Sequence, residues 1–236
     1  MEKVLLPSKV SFEQSEDPSK AVLTVEPCYF GYGTTLGNAL RRVLLSSLTG
    51  AAVTAVKIAG VDQEFSAIEN VQDDVLKICL KLKELRMKVF SDQPVKLHLK
   101  VKGKKMVTAA DFEKNSDVEI VNPELEITEI TDKKGELDLE VTVQQGRGYW
   151  PTEERVKEEV EIGTIMIDAI FTPIQKVGYK VVPTRVGDIT NFDKLVMDIE
   201  TDGTITPQAA VEEAARVLIE HFSLLTNKDN DSKSES

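Results

Sequence analysis

The chain has 236 residues, 41% hydrophobic and 29% charged, enough to bury a sizeable core in one or two domains. Its net charge of −11 argues against autonomous nucleic-acid binding, which uses a basic face. No apolar run reaches the roughly 18 residues of a membrane-spanning helix, and Met1-Glu2-Lys3-Val4-Leu5-Leu6-Pro7 is too short and mixed for a signal peptide, so a cytoplasmic location is expected.

Val10–Glu13 and Ala21–Val25 read as strands, with Glu16-Asp17-Pro18-Ser19 turning between them. Gly31 and Gly33 suit a tight turn, and Thr34 or Thr35 can cap the helix that follows. Leu36, Leu40, Val43, Leu44 and Leu48 recur at helical spacing, and Leu45 adds apolar surface on another side. Such a helix suits a core on one side and a partner on the other. It is expected to end near Thr49-Gly50, with the glycine at the C-cap.

Val53–Ile58 opens a β region. Asp73–Lys83 reads as a short helix with Val75, Ile78, Cys79 and Leu82 inward and two acids at its start, where the dipole favours them. Strands are expected at Val95–Val101, Leu125–Ile130 and Leu137–Val143, the last two joined in a hairpin by Asp132-Lys133-Lys134-Gly135. Residues 77–105 hold ten Lys or Arg against two acids. There Lys96, Lys100 and Lys102 alternate with Leu97, Leu99 and Val101, without the interleaved aromatics on which single strands stack; the pattern reads as a solvated strand face.

Glu153–Glu161 is acid-rich and is expected to be a mobile loop. Strands resume at Thr164–Ile170, Lys176–Val182 and Leu195–Glu200. A last helix runs from Pro207 to about Leu225, capped by Thr206, with Val211, Ala214, Leu218, Phe222 and Leu225 in one stripe. Asn227–Ser236 is polar and charged, and disorder is expected there. Helices near both ends and a mainly β middle predict an α+β fold in which one domain is made from both termini and another is inserted.

The residues offer no catalytic constellation. His98 falls on the polar face of a strand and His221 in the last helix, neither beside a nucleophile motif. No Gly-x-Ser-x-Gly, P-loop or His-Glu-x-x-His pattern occurs, and Phe30-Gly31-Tyr32-Gly33 reads as a turn feeding a helix. Cys28 and Cys79 lack metal-ligand spacing and read as buried reduced thiols. No active site, metal or cofactor is expected.

Gly33-Thr34-Thr35-Leu36-Gly37-Asn38-Ala39-Leu40-Arg41-Arg42-Val43-Leu44-Leu45-Ser46-Ser47 resembles the signature of the alpha subunit of bacterial DNA-directed RNA polymerase, in its N-terminal domain. Further segments agree in order: Gly50-Ala51-Ala52-Val53, Glu64-Phe65-Ser66, Val107-Thr108-Ala109-Ala110-Asp111, Gly146-Arg147-Gly148-Tyr149, Asp193-Lys194-Leu195-Val196 and Glu200-Thr201-Asp202-Gly203. The resemblance runs from about Val4 to about Leu225.

The resemblance implies a discontinuous dimerisation domain at about 1–50 and 172–228, an antiparallel sheet with two long helices. It implies an inserted, mainly β domain at 51–171 and a tail or linker start at 229–236. Leu36, Leu40, Val43 and Leu44 of the first long helix would then pack against a two-fold mate, as would Val211, Ala214, Leu218, Phe222 and Leu225 of the last. The implied function is that of a non-catalytic subunit of a nucleotidyltransferase, which homodimerises and then recruits the β and β′ subunits. Arg42 matches a family arginine that contacts β, and Arg41, Lys83 and Arg185 fall at or beside further large-subunit contacts. The family normally continues through a linker into a DNA-binding C-terminal domain; this chain stops at Ser236, and promoter binding is not expected of it. Glu26-Pro27-Cys28-Tyr29-Phe30 also lacks the charged residues often found just before the signature. The alternative is a homodimeric scaffold or regulator outside polymerase, and a small acidic metal-dependent hydrolase comes third.

Overall fold

The structure, a computed structural model, describes residues 4–155, 161–187 and 189–226. Strands β1 (Lys9–Gln14) and β2 (Lys20–Cys28) lead into helix α1 (Tyr32–Ser46). There follow β3 (Thr49–Ile58), α2 (Val75–Leu82), β4 (Met87–Val89), β5 (Val95–Lys102), β6 (Lys105–Thr108) and β7 (Val118–Ile120). Next come β8 (Glu126–Ile130), β9 (Glu136–Arg147), β10 (Tyr149–Trp150), β11 (Thr164–Met166) and β12 (Ala169–Ile170). Two long strands, β13 (Ile174–Val186) and β14 (Ile189–Thr201), precede helix α3 (Pro207–Thr226). The chain divides into two units, Met1–Leu48 with Ile174–Ser236, and Thr49–Pro173.

In the unit made from both chain ends, an antiparallel sheet runs β1-β2-β14-β13. Strand residues alternate between faces, and one face is apolar: Leu23 and Val25 from β2, Leu195, Met197 and Ile199 from β14, and Val177 from β13. Leu44 of α1, Leu48 beyond it, and Ala210 and Ala214 of α3 close the same core. Central β14 pairs Met197 with Leu23 on one side and with Tyr179 on the other. At the start of α3, Thr206 Oγ1 accepts from the Ala209 N–H at 3.3 Å, the cap that the sequence predicts.

Both ends of α1 differ from expectation. Thr34 and Thr35 lie inside the helix, and the cap position is Gly31, at φ 82° where glycine is at ease. Glycine brings no capping side chain; Asp193 of β14 supplies it, its Oδ2 accepting from the N–H groups of Gly31 (2.9 Å) and Gly33 (3.2 Å). The helix ends at Ser46, and Gly50 belongs to β3 rather than to a C-cap. A Cβ on Gly50 would stand 1.8 Å from the Phe171 backbone oxygen, so its small size serves close packing.

In the other unit an antiparallel sheet runs β11-β3-β9-β5, accompanied by the pairs β4-β7, β6-β8 and β10-β12. Leu137, Leu139, Val141 and Val143, alternate residues of β9, share a core with Val75, Ile78 and Leu82 of α2. Asp74 caps α2 by accepting from the Lys77 N–H at 2.8 Å. The turn at Asp132–Gly135 forms, but not as a hairpin: β8 pairs with β6, and β9 with β3 and β5. Alternation identifies a half-buried strand without naming its neighbour. The single strand expected over Thr164–Ile170 is two, broken at Ile167 and Asp168.

The lysines of β5 face solvent opposite the acids of β9. Lys96 meets Glu140 at 2.8 Å, Lys102 meets Glu136 at 3.0 Å, and Lys100 meets Glu136 at 3.3 Å as well as Asp138. The basic run is thereby neutralised across the strands. Cys28 and Cys79 are free and buried, and burial pushes both thiols up, Cys79 to about 11. Of the stretch expected as a mobile loop, Thr152–Arg155 forms a 3-10 turn and 156–160 lie outside the described residues, as does the tail from Asn227.

Candidate assembly surface

Helix α1 lies hard against its sheet. A Cβ on Gly33 would stand 2.9 Å from Asp193 Cβ and Val181 Cγ1, and one on Gly37 would stand 2.6 Å from the Tyr179 ring. With about 100° between successive residues, that contact turns Arg42 away from the sheet. Arg42 is exposed, and among the described residues its guanidinium has no hydrogen bond or ion pair. Its neighbour Arg41 donates its Nε–H to the Val177 carbonyl of β13 at 3.4 Å, which ties it to its own sheet.

The residues expected at a dimer interface divide into three groups. Leu44 and Ala214 are fully buried in their own core and offer no surface to a second chain; those two assignments are corrected. Their stripe positions face the sheet, which claims them first. Leu36, Leu40, Val43 and Val211 are half-buried against the same core, and Leu218 is half-buried too. Phe222 (59% exposed) and Leu225 (79%) stand in solvent with Ile219 (67%) and Leu224 (66%). The first turns of α3 build a core, and the last turns carry four large apolar side chains in water.

Lys83 follows α2 and pairs with Asp168 at 3.1 Å, both side chains about one-third exposed. The other oxygen of Asp168 accepts from the Thr152 N–H (2.9 Å) and hydroxyl (3.1 Å), which anchors the 3-10 turn. That turn delivers Arg155 into the interior. Its Nη1 and Nη2 donate to the Thr54 carbonyl at 3.1 Å, Nη1 also reaches the Ile167 carbonyl at 3.1 Å, and the guanidinium lies 4.6 Å from the Trp150 ring centre. Arg185 is exposed near the tip of the β13–β14 hairpin and donates its Nε–H to the Gly187 carbonyl. Arg41, Arg42 and Arg185 thus belong to one unit and Lys83 to the other.

A cavity of about 380 Å³ opens on the polar face of the β11-β3-β9-β5 sheet. Its lysines are engaged with its own acids, Lys57 with Glu161 at 2.9 Å and Lys96 with Glu140 at 2.8 Å. Among the described residues no three His, Cys, Asp or Glu side chains converge as metal ligands, and no helix is long and apolar enough to cross a membrane.

Residues 56–172 match the family model described as the RNA polymerase Rpb3/RpoA insert domain. The chain is 47% identical over 218 residues to the DNA-directed RNA polymerase subunit alpha of Oceanobacillus iheyensis, a match covering 92% of this chain and 69% of that one. The chain belongs to the family of DNA-directed RNA polymerase alpha subunits. Its identity to the alpha subunit of Macrococcus caseolyticus is likewise 47%, over 215 residues, 91% of this chain and 68% of that one.

As a polymerase alpha subunit, the chain has the α+β architecture that its signature implies. Three side chains at the centre of this geometry escape the sequence reading: Asp193, Asp168 and Arg155. Asp193 sits within a motif segment, yet its partners lie 162 and 160 positions away, beyond any local pattern. Arg155 stands among acids, where a solvated loop is the ordinary reading.

Proposed function

We propose that this alpha subunit dimerises through α1 and α3 and forms the platform on which the β and β′ subunits assemble, working in the cytoplasm with no active site or cofactor of its own. The observation that carries the reading is the apolar end of α3, where Ile219, Phe222, Leu224 and Leu225 are all more than half exposed. Burying a large apolar side chain contributes roughly 1.5–3 kcal/mol. A two-fold pair repeats the patch on both chains, and obligate interfaces bury about 2,000 Å² or more.

Arg42 is the residue we assign to β. It is exposed and without a partner among the described residues, and its planar fork of donors suits a carboxylate or a row of carbonyls. Arg41, Lys83 and Arg185 are assigned to the large subunits as well, each in addition to the bond it makes within its own chain.

Light scattering on the pure chain, alone and with folded β, tests the proposal. The expected result is the mass of two chains, moving to a heavier complex when β is added. A monomer would overturn dimerisation. A dimer indifferent to folded β would favour a homodimeric scaffold outside polymerase.

A further inference from the structure

Helix α1 is held on its sheet by two polar ties from two different strands. Asp193 of β14 accepts from the Gly31 and Gly33 N–H groups at the helix start. Arg41, more than two turns on, donates to the Val177 carbonyl of β13. The N–H groups of a first helical turn lack partners within the helix, and a carboxylate there meets both their donors and the positive end of the dipole. A Ser or Thr at the cap would satisfy one donor of the first turn without fixing where the helix lies. A carboxylate borrowed from the sheet does fix it.

The surroundings leave little slack. The Cβ of Asp193 is one of the atoms that a side chain at Gly33 would strike. Tyr29 packs edge-on against Phe192, ring centres 6.3 Å apart, and against Tyr32 at 6.1 Å, which brackets the same turn from the chain's approach.

We propose that Asp193 is a positioning residue: it sets the seat of α1 on the sheet and thereby the direction in which Arg42 is presented to the β subunit. The role of Arg42 rests on the assembly reading above; the seating of α1 does not.

The test compares Asp193→Ala with Asp193→Asn in the whole chain, reading amide exchange at Gly31 and Gly33, dimer mass and β affinity. Asp193→Ala should keep the dimer, speed exchange at both glycines, and weaken β binding by about fivefold to tenfold, the size of a lost cap. Asp193→Asn, which keeps an acceptor oxygen, should recover most of both effects. Combined with Asp193→Ala, Arg42→Ala should cost less than it does alone, because the arginine is already misdirected. Unchanged exchange at the two glycines in Asp193→Ala overturns the seating, and strict additivity with Arg42→Ala overturns the link to Arg42. A wild-type chain that ignores β sinks the assembly reading and the Arg42 link together, while the exchange rates still decide whether Asp193 seats the helix.

Discussion

The Lys83 ammonium and the Asp168 carboxylate meet at 3.1 Å, and through Asp168 the pair reaches the Thr152 N–H that begins the turn carrying Arg155. The Thr152 N–H above all, and Lys83 with it, holds the Asp168 carboxyl below its usual 3.8. A carboxylate with a depressed folded-state pKa contributes stability above its unfolded value and loses that contribution as pH falls through its folded value. Asp168→Asn should therefore cost roughly 1 kcal/mol at pH 7, discounted for the partial exposure of the pair, and progressively less as pH falls below 3.8. Urea unfolding near neutrality and in acid measures it; an equal cost at both would assign the loss to packing.

Arg155→Ala should be more damaging. It strips donors from the Thr54 and Ile167 carbonyls inside the unit and removes the cation over Trp150. The Thr54 carbonyl keeps the Ile167 N–H at 2.9 Å, so the loss falls on the Ile167 carbonyl, and a buried acceptor left unpaired costs about 1–3 kcal/mol. Arg155→Lys should recover little, because a single ammonium does not reproduce the planar fork. Denaturant midpoints for the two variants decide the matter, and a stable lysine variant would show that charge alone suffices.

Gly50→Ala should leave little folded protein. The new methyl would lie 1.8 Å from the Phe171 backbone oxygen, and neither strand β3 nor the Phe171 backbone can step aside cheaply. A loss of about 4 kcal/mol or more is expected. Soluble yield and melting temperature check it; Gly178→Ala, where an added Cβ meets nothing within 4 Å, is the control.

The apolar end of α3 can be separated from the charged face of α1. Phe222→Asp with Leu225→Asp should turn the dimer into a soluble monomer. Arg42→Ala should keep the dimer but lose about 2 kcal/mol of β affinity, the loss typical of an interface anchor. Light scattering and a β titration give the two readings independently, and an Arg42→Ala chain that binds β normally would remove that arginine from the assembly surface.

Cys79, with its thiol pushed up to about 11 by burial, should resist alkylation in the folded chain at pH 8 and react on unfolding. Mass spectrometry after a pulse of iodoacetamide, with and without urea, shows which.

Much of this fold is legible in the sequence. The 2-residue alternation of β9 and the 3-, 4-residue stripes of α1 and α3 locate those elements, and Thr206-Pro207 marks where α3 starts. What escapes is whatever depends on distant neighbours. The Asp132–Gly135 turn looks like a hairpin because the partners its two strands take, β6 for β8 and β3 and β5 for β9, leave no trace in the turn itself. Gly50 looks like a helix stop because its true constraint, Phe171, lies far along the chain. The stripe containing Leu44 and Ala214 reads equally well as core or interface, since periodicity reports an apolar face and not what covers it. Residue type and helical spacing alone do not separate Arg42 from Arg41, which only the family resemblance ranks; their physical difference is the rotation of α1, which Gly33 and Gly37 set by letting the helix down onto the sheet.

The central pairing of β14 with β2 has a consequence for synthesis. On the ribosome, β2 and α1 emerge early, but the strand that completes their core and the carboxylate that caps their helix arrive only after the whole of Thr49–Pro173 has been made. The interposed unit is continuous in sequence and has its own core, so it can finish folding while α1 still waits with its apolar face uncovered. Closing a loop twice as long costs only about 0.6 kcal/mol more, so the late rendezvous is thermodynamically cheap. Its hazard is kinetic: every nascent chain passes through a stage in which a sticky helix has no sheet to lie on.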